Sequence, residues 1–202
     1  MLNFDRPFSH KDMPRTEQQL EEIRESRKAS IMDAALHLFG EQSIDSVSIS
    51  MIAKRAGISK GLIYNYFVSK EELIKEIVIR GFDDFTNVFD LNKDGILTEK
   101  EFIYFIDQTF FILESKHSFW KLYFAVVMQP KVMKLVEDKL MEVLIPFINT
   151  LTNYYERKGV ESPAAQARLL GSLLDGVSLN YIVDPEGFSI EETKKIIIEK
   201  FI

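Results

Sequence analysis

Apolar positions recur along this chain at the three- and four-residue spacing of helices, and no stretch alternates apolar and polar for the length of a strand. Ile31, Ala34, Ala35, Leu38 and Phe39 share one helical face, and Thr16 with Gln19 reads as the capping box that opens this helix, which runs to about Phe39. Ser48 caps a short helix over 49–56, ended by Gly57 in the left-handed conformation. Ser59 caps another over 60–67, and Ser69 with Glu72 opens one that carries Leu73, Ile77 and Phe85 towards residue 89. Further helices are read over 98–114, 118–129 and 131–157, the last kinked near Pro146 because an interior proline loses a backbone hydrogen bond. Ser162-Pro163 opens a helix over 163–182, Asp184-Pro185-Glu186-Gly187 forms a turn, and Ser189 with Glu192 caps the last helix, which ends at Phe201. The expectation is an all-α chain of nine helices with residues 1–15 as a flexible arm.

Composition narrows the classes. The absence of cysteine excludes a disulfide scaffold, a thiolate zinc site and a cysteine nucleophile, and it suits a reducing, cytoplasmic setting. The polar, proline-broken start is no signal peptide, and no apolar run reaches the roughly 18 residues of a membrane span. No Walker A loop, G-x-S-x-G elbow or H-E-x-x-H is present, and His10, His37 and His117 are scattered, so no catalytic set is read and an enzyme is not expected. Net charge is −6, but residues 1–80 balance 12 cations against 12 anions while residues 81–202 carry 13 against 19. Contact with phosphate is least opposed in the first part.

That part holds two short helices joined by a tight turn with a glycine, within "VSISMIAKRAGISKGLIYNYFVSKEEL". Ile49, Ile52, Ala53 and Ala56 give the first an apolar face, and Leu62, Ile63 and Phe67 the second. Lys60, Gly61, Tyr64 and Asn65 remain outside, where Lys and Tyr reach phosphates, Asn pairs with adenine and Gly permits close approach. Many helical proteins contain such a helical pair without binding DNA. Residues 31–74, however, resemble the DNA-binding region of the tetracycline-repressor (TetR) family of bacterial transcription regulators. The resemblance rests on Ala34, Ala35, Leu36, Leu38, Phe39, Ile52, Ala53, Ala56, Gly57, Ser59, Gly61, Tyr64, Tyr66, Phe67, Ser69, Lys70 and Leu73. Gln42-Ser43 departs from it, in the turn after the first helix.

The resemblance implies a helix-turn-helix domain over 16–70 and a ligand-binding and dimerisation domain over 71–202. Ser48, Ser59, Lys60, Tyr64, Tyr66 and Lys70 would contact phosphate, and Lys60, Gly61, Leu62 and Asn65 would face bases. Arg6, Lys11 and Arg15 would let the arm follow the DNA. The implied protein is a regulator, usually a repressor, released from double-stranded operator DNA by a small hydrophobic effector. It would dimerise through the last two helices, because a helix-turn-helix reader needs half-sites one DNA turn, ~34 Å, apart. Helix 163–182 fits that role by alternating Leu169, Leu170, Leu173, Leu174, Val177 and Tyr181 with small residues. Phe85, Phe105, Phe111, Trp120, Phe124 and Met128 are candidate linings of an effector cavity, although aromatics at helical spacing usually form plain core.

One stretch belongs to a different chemistry. In "DLNKDGILTEKE", residues 90–101, Asp90, Asn92, Asp94, Gly95 and Glu101 fill the calcium-loop pattern D-x-[DN]-x-[DN]-G-x5-E. Ile96 would offer its carbonyl at position 7 and Thr98 stands at position 9. A chance match in one such chain is about a one-in-a-thousand event, more frequent in a polar turn. The competing reading is an ordinary helix-joining turn, since Asp, Asn and Gly favour turns and Thr98 with Glu101 is itself a capping box. No cofactor is required for the regulator. A weak Ca²⁺ site, about 10⁻⁴ M or poorer, and a calcium-modulated regulator or calcium-binding module are the alternatives this EF-hand-like loop leaves open.

Overall fold

The computed structural model describes residues 16–202, so the expected arm over 1–15, with Arg6, Lys11 and Arg15, lies outside the described residues. Among the described residues the chain forms nine α-helices and no strand. They are α1 Glu17–Glu41, α2 Ile49–Arg55, α3 Lys60–Ile63, α4 Lys70–Thr86, α5 Glu99–Ser115, α6 His117–Val127, α7 Pro130–Arg157, α8 Pro163–Val183 and α9 Ile190–Phe201.

Most starts follow from their caps. Thr16 and Gln19 exchange hydrogen bonds of 3.2 and 3.1 Å, and Thr98 with Glu101 repeats the arrangement at α5. At α4 the Ser69 hydroxyl accepts from Glu72 N, but the Glu72 carboxylate reaches one residue further back, to Val68 N at 2.5 Å. Ser162 and Ser189 make no side-chain cap bond; at α8 the fixed φ of Pro163 starts the helix instead. Helix α3 is shorter than its apolar spacing predicts. Tyr66 N and Phe67 N both reach back to Ile63 O, at 2.9 and 3.0 Å, and close the helix in a turn. Helix α7 continues through Pro146 without a break.

Helix α1 buries side chains only from Ile31 onward; there it packs on α2 and α6. Helix α7 lies along α8 and α4. Helices α4 and α6 approach so closely that a Cβ at Gly81 would stand 2.2 Å from the Tyr123 ring. Tyr123 Oη donates to Val78 O at 2.7 Å, fixing that crossing. The centre is aromatic. Trp120 is fully buried, with Phe85, Phe119 and Tyr123 at ring-centre distances of 4.8, 4.9 and 5.2 Å. Phe89, Phe105 and Phe147 make a second cluster between α4, α5 and α7.

The N-terminal helices are fastened to this body by polar contacts. Gln129, between α6 and α7, donates to Phe39 O at 3.0 Å and accepts from Ile44 N at 3.2 Å. Lys131 pairs with Asp45 beside it, and Lys28 pairs with Glu76 at 2.9 Å.

Candidate nucleic-acid interface

Helices α2 and α3 are held from beneath by Ile49, Ile52, Ala53, Ile63 and Phe67, all buried. Gly57, at φ +68°, makes the turn between them. The Ser48 hydroxyl accepts from Met51 N and the Ser59 hydroxyl from Leu62 N, both at 3.3 Å. Each oxygen accepts one bond, which leaves its O–H available to an outside acceptor such as a phosphate. Ser48, Ser59, Lys60, Gly61, Tyr64 and Asn65 are all exposed, so they make one polar edge on the outside of the helical pair.

Gly61 is the informative residue on that edge. A glycine inside a helix costs about 0.8–1.0 kcal/mol against alanine. The fold has no use for it here, since a Cβ at Gly61 would meet nothing within 4 Å. The edge is therefore open at position 61.

Three of the expected contact residues are half-buried. Leu62 and Tyr66 are half-buried and line a narrow crevice with Arg27, Ser30, Ile31, Ala56 and Ile58, turned towards α1. Lys70 donates to Ile44 O at 2.7 Å and Val47 O at 3.0 Å, bracing the turn between α1 and α2, which leaves one N–H of its ammonium for a phosphate. Lys54, left out of the sequence reading, is exposed on α2. Arg55 beside it is paired with Glu41 at 3.6 Å.

The six aromatic and sulfur positions predicted to line one cavity do not act together. Phe111 is 61% and Met128 58% exposed, and both face solvent. Phe110, one residue away, is buried, so the 100° step between neighbours on a helix puts Phe111 on the outer face. Trp120 and Phe105 are packed core, and Phe85 and Phe124 are half-buried against Trp120. Spacing missed two other groups. Thr109 Oγ1 and Tyr155 Oη are buried without a hydrogen-bond partner among the described residues. Burial pushes the Tyr155 phenol well above its usual range.

In the stretch 90–101 the loop turns at Lys93 and Gly95, both with positive φ, 57° and 76°. Asp90 Oδ2 accepts from Gly95 N at 2.9 Å. Asn92 and Asp94 bond to each other, with Asn92 Nδ2 donating to Asp94 Oδ2 at 3.0 Å. Ile96 is exposed, and its N–H donates to Asp94 Oδ1 at 2.7 Å. Glu101 is not turned into the loop: its Oε2 accepts from Thr98 N at 2.9 Å and Thr98 Oγ1 at 2.7 Å. Accordingly, no three His, Cys, Asp or Glu side chains among the described residues gather at one point.

Residues 31–77 match the family model described as "Bacterial regulatory proteins, tetR family". The HTH-type transcriptional regulator AcrR of Shigella flexneri is 41% identical over 63 residues, 31% of this chain and 27% of that protein. The HTH-type transcriptional repressor KstR2 of Mycobacterium tuberculosis is 37% identical over 59 residues, 29% of each chain. This chain thus spans less than a third of the length of these two relatives. The HTH-type transcriptional regulator BetI of Vibrio campbellii is 22% identical over 86% of this chain and 89% of that protein. Among solved structures, NalD of Pseudomonas aeruginosa, the secondary repressor of the MexAB-OprM multidrug efflux pump, superposes with a TM-score of 0.69 at 18% identity, over 88% of this chain and 96% of that one. The fatty acid degradation regulator FadR of Bacillus halodurans gives 0.62 at 24% identity, over 87% and 94%. The family match falls on the helix-turn-helix and its flanks, and the likeness of fold extends through the helical body; residues 31–77 carry the N-terminal domain of the tetR family of bacterial regulatory proteins.

Proposed function

We propose that this chain is a homodimeric, ligand-responsive transcription regulator and not an enzyme: a cytoplasmic repressor that leaves its operator when a small hydrophobic effector binds its body. The observation that carries the reading is the exposed edge Ser59-Lys60-Gly61-Tyr64-Asn65, polar throughout and open at Gly61. Lys60 and the serine hydroxyls hold phosphates while Asn65 reads a base edge across the gap that Gly61 leaves. Residues 16–70 serve as the reading head and 71–202 as the body. No helix among the described residues is long and apolar enough to cross a membrane.

Helix α8 supports the dimer. Ala167, Leu170, Leu174 and Tyr181 face inward, whereas Leu169, Ser172, Gly176, Leu179 and Val183 form a stripe on the opposite side. Leu169 is 56% and Val183 83% exposed, and Ile196 of α9 is 50% exposed. Water on such a stripe is unfavourable by about 25 cal/mol per Å² of apolar surface. A second copy presenting the same stripe covers it, with small residues allowing close approach. The effector binds in the aromatic body, where the unpartnered Thr109 and Tyr155 hydroxyls suit a mostly apolar molecule with one or two polar groups. The effector acts by favouring one of two arrangements of head and body, coupled through α4 and the Gln129 joint.

The test is fluorescence anisotropy on a labelled duplex from upstream of the protein's own coding sequence, repeated across salt concentrations. Affinity should fall steeply with salt, and Lys60→Ala should lower the log–log slope by about 1. If Lys60→Ala and Asn65→Ala both bind as the parent does, the assigned edge is wrong.

A further inference from the structure

The regulator just proposed makes no use of residues 90–101. We infer that this loop is a low-affinity calcium site. Two independent observations carry the inference. One is the sequence register: a turn between α4 and α5 needs some Asp, Asn and Gly, and the α5 cap accounts for Thr98 and Glu101. Neither accounts for Asp90, Asn92, Asp94 and Gly95 in the full twelve-residue order, with Leu97 at the apolar position 8. The other is a single atom. Asp90 Oδ1 is buried and has no hydrogen-bond partner among the described residues. A carboxylate oxygen withheld from water and from every donor is costly to the fold, and a bound cation relieves that cost.

The chemistry of the donor set fits calcium. Asp90, Asn92 and Asp94 supply hard oxygen ligands from positions 1, 3 and 5, Ile96 its carbonyl from position 7, and Thr98 or a water position 9. No nitrogen or sulfur ligand is in the set, which disfavours zinc and copper. Calcium accepts six to eight oxygens in irregular arrangement, whereas magnesium demands a near-ideal octahedron, so the loop discriminates between them. The closing ligand is Glu101, and it must turn away from Thr98, exchanging the 2.9 and 2.7 Å bonds of its Oε2 for the ion. That exchange, together with Lys93 inside the loop, places the dissociation constant at about 10⁻⁴–10⁻³ M. Leu97 is buried and Arg157 Nη2 donates to its carbonyl at 2.7 Å, so the loop is tied to the end of α7. An ion there stiffens the joint between α4, α5 and α7.

The test is calorimetric titration of the full chain with calcium chloride and with magnesium chloride, alongside Asp90→Asn and Glu101→Gln. Asn at 90 still accepts from Gly95 N, and Gln at 101 still caps Thr98, so neither variant should melt below the parent when calcium is absent. The expected result is one saturable calcium site per chain, weaker by fivefold or more in each variant and for magnesium. No saturable calcium binding up to about 10 mM, an order above the expected range, overturns the inference. So does a loss of less than fivefold in both variants. DNA binding is not read, so the result stands apart from the fate of the regulatory proposal.

Discussion

A methyl group added at Gly61 would meet nothing within 4 Å, whereas one added at Gly81 would be driven to 2.2 Å from the Tyr123 ring. The same residue type does opposite work in head and body. In the body glycine lets α4 and α6 close on each other, and the space is filled from inside the chain. In the head the space stays open to whatever lies outside. The exposed surfaces differ in the same sense. The head presents Ser, Lys, Tyr and Asn, chemistry suited to a hydrated polyanion. The body presents Leu169, Leu179 and Val183 along α8, chemistry suited to another apolar stripe. The two outward faces thus differ in chemistry.

The contrast can be broken most severely at Gly81. Gly81→Ala forces the buried Tyr123 ring aside and should cost about 1–3 kcal/mol or more, read as a lower urea midpoint with unchanged slope. A midpoint equal to the parent's would show that α6 yields freely. On the apolar face, Leu169→Glu with Leu179→Glu should convert the proposed dimer to monomer in sedimentation, with the helical content retained, because both side chains already face out of the single chain. A dimer that survives both changes places the interface elsewhere.

Alkaline pH probes the body through Tyr123. Burial, with the Asp83 and Asp84 carboxylates behind it, raises the Tyr123 phenol above its usual 10.0. Below pH 10 the phenol is protonated in both folded and unfolded chains, and its contribution is fully present. Above pH 10 the unfolded chain releases its proton first, so stability falls by up to about 1.4 kcal/mol per pH unit for this group. Tyr123→Phe should flatten that fall by one proton, at a cost near 1 kcal/mol for the lost bond to Val78 O. A pH slope identical in the variant would contradict the assignment.

Gly61→Ala should leave the fold as stable as the parent or raise it by up to about 1 kcal/mol, while DNA affinity drops. An unaltered affinity would mean that nothing approaches that edge closely. The smallest effect is expected at Tyr155, whose hydroxyl has no partner among the described residues. Tyr155→Phe should change stability by less than about 1 kcal/mol, and its use is to ask whether response to an effector is lost while DNA binding persists.

Much of this organisation is legible in the sequence, for reasons that are local. The Thr16 and Thr98 caps, the Gly57 turn and the buried stripe of α2 each depend on residues a few positions apart, and each forms as its spacing predicts. What the sequence hides depends on distant partners. Lys70 finds its carbonyl acceptors 23 and 26 residues back in the chain, so its share in bracing a turn could not be read beside its suitability for phosphate. Phe111 and Phe110 are alike as letters, and only the packing of α5 decides which is core. The buried Thr109 and Tyr155 hydroxyls carry no pattern at all. The caps and turns of the head are readable because its parts are short and adjacent; the body is readable only as a class of packing.

The most direct test of the account is selection from a random duplex library by the full chain near physiological salt. The account predicts enrichment of a two-fold symmetric sequence whose half-sites lie about one helical turn, ~34 Å, apart, and loss of that enrichment with Asn65→Ala. A folded dimer that enriches no sequence, or enriches the same one after Asn65→Ala, would contradict it.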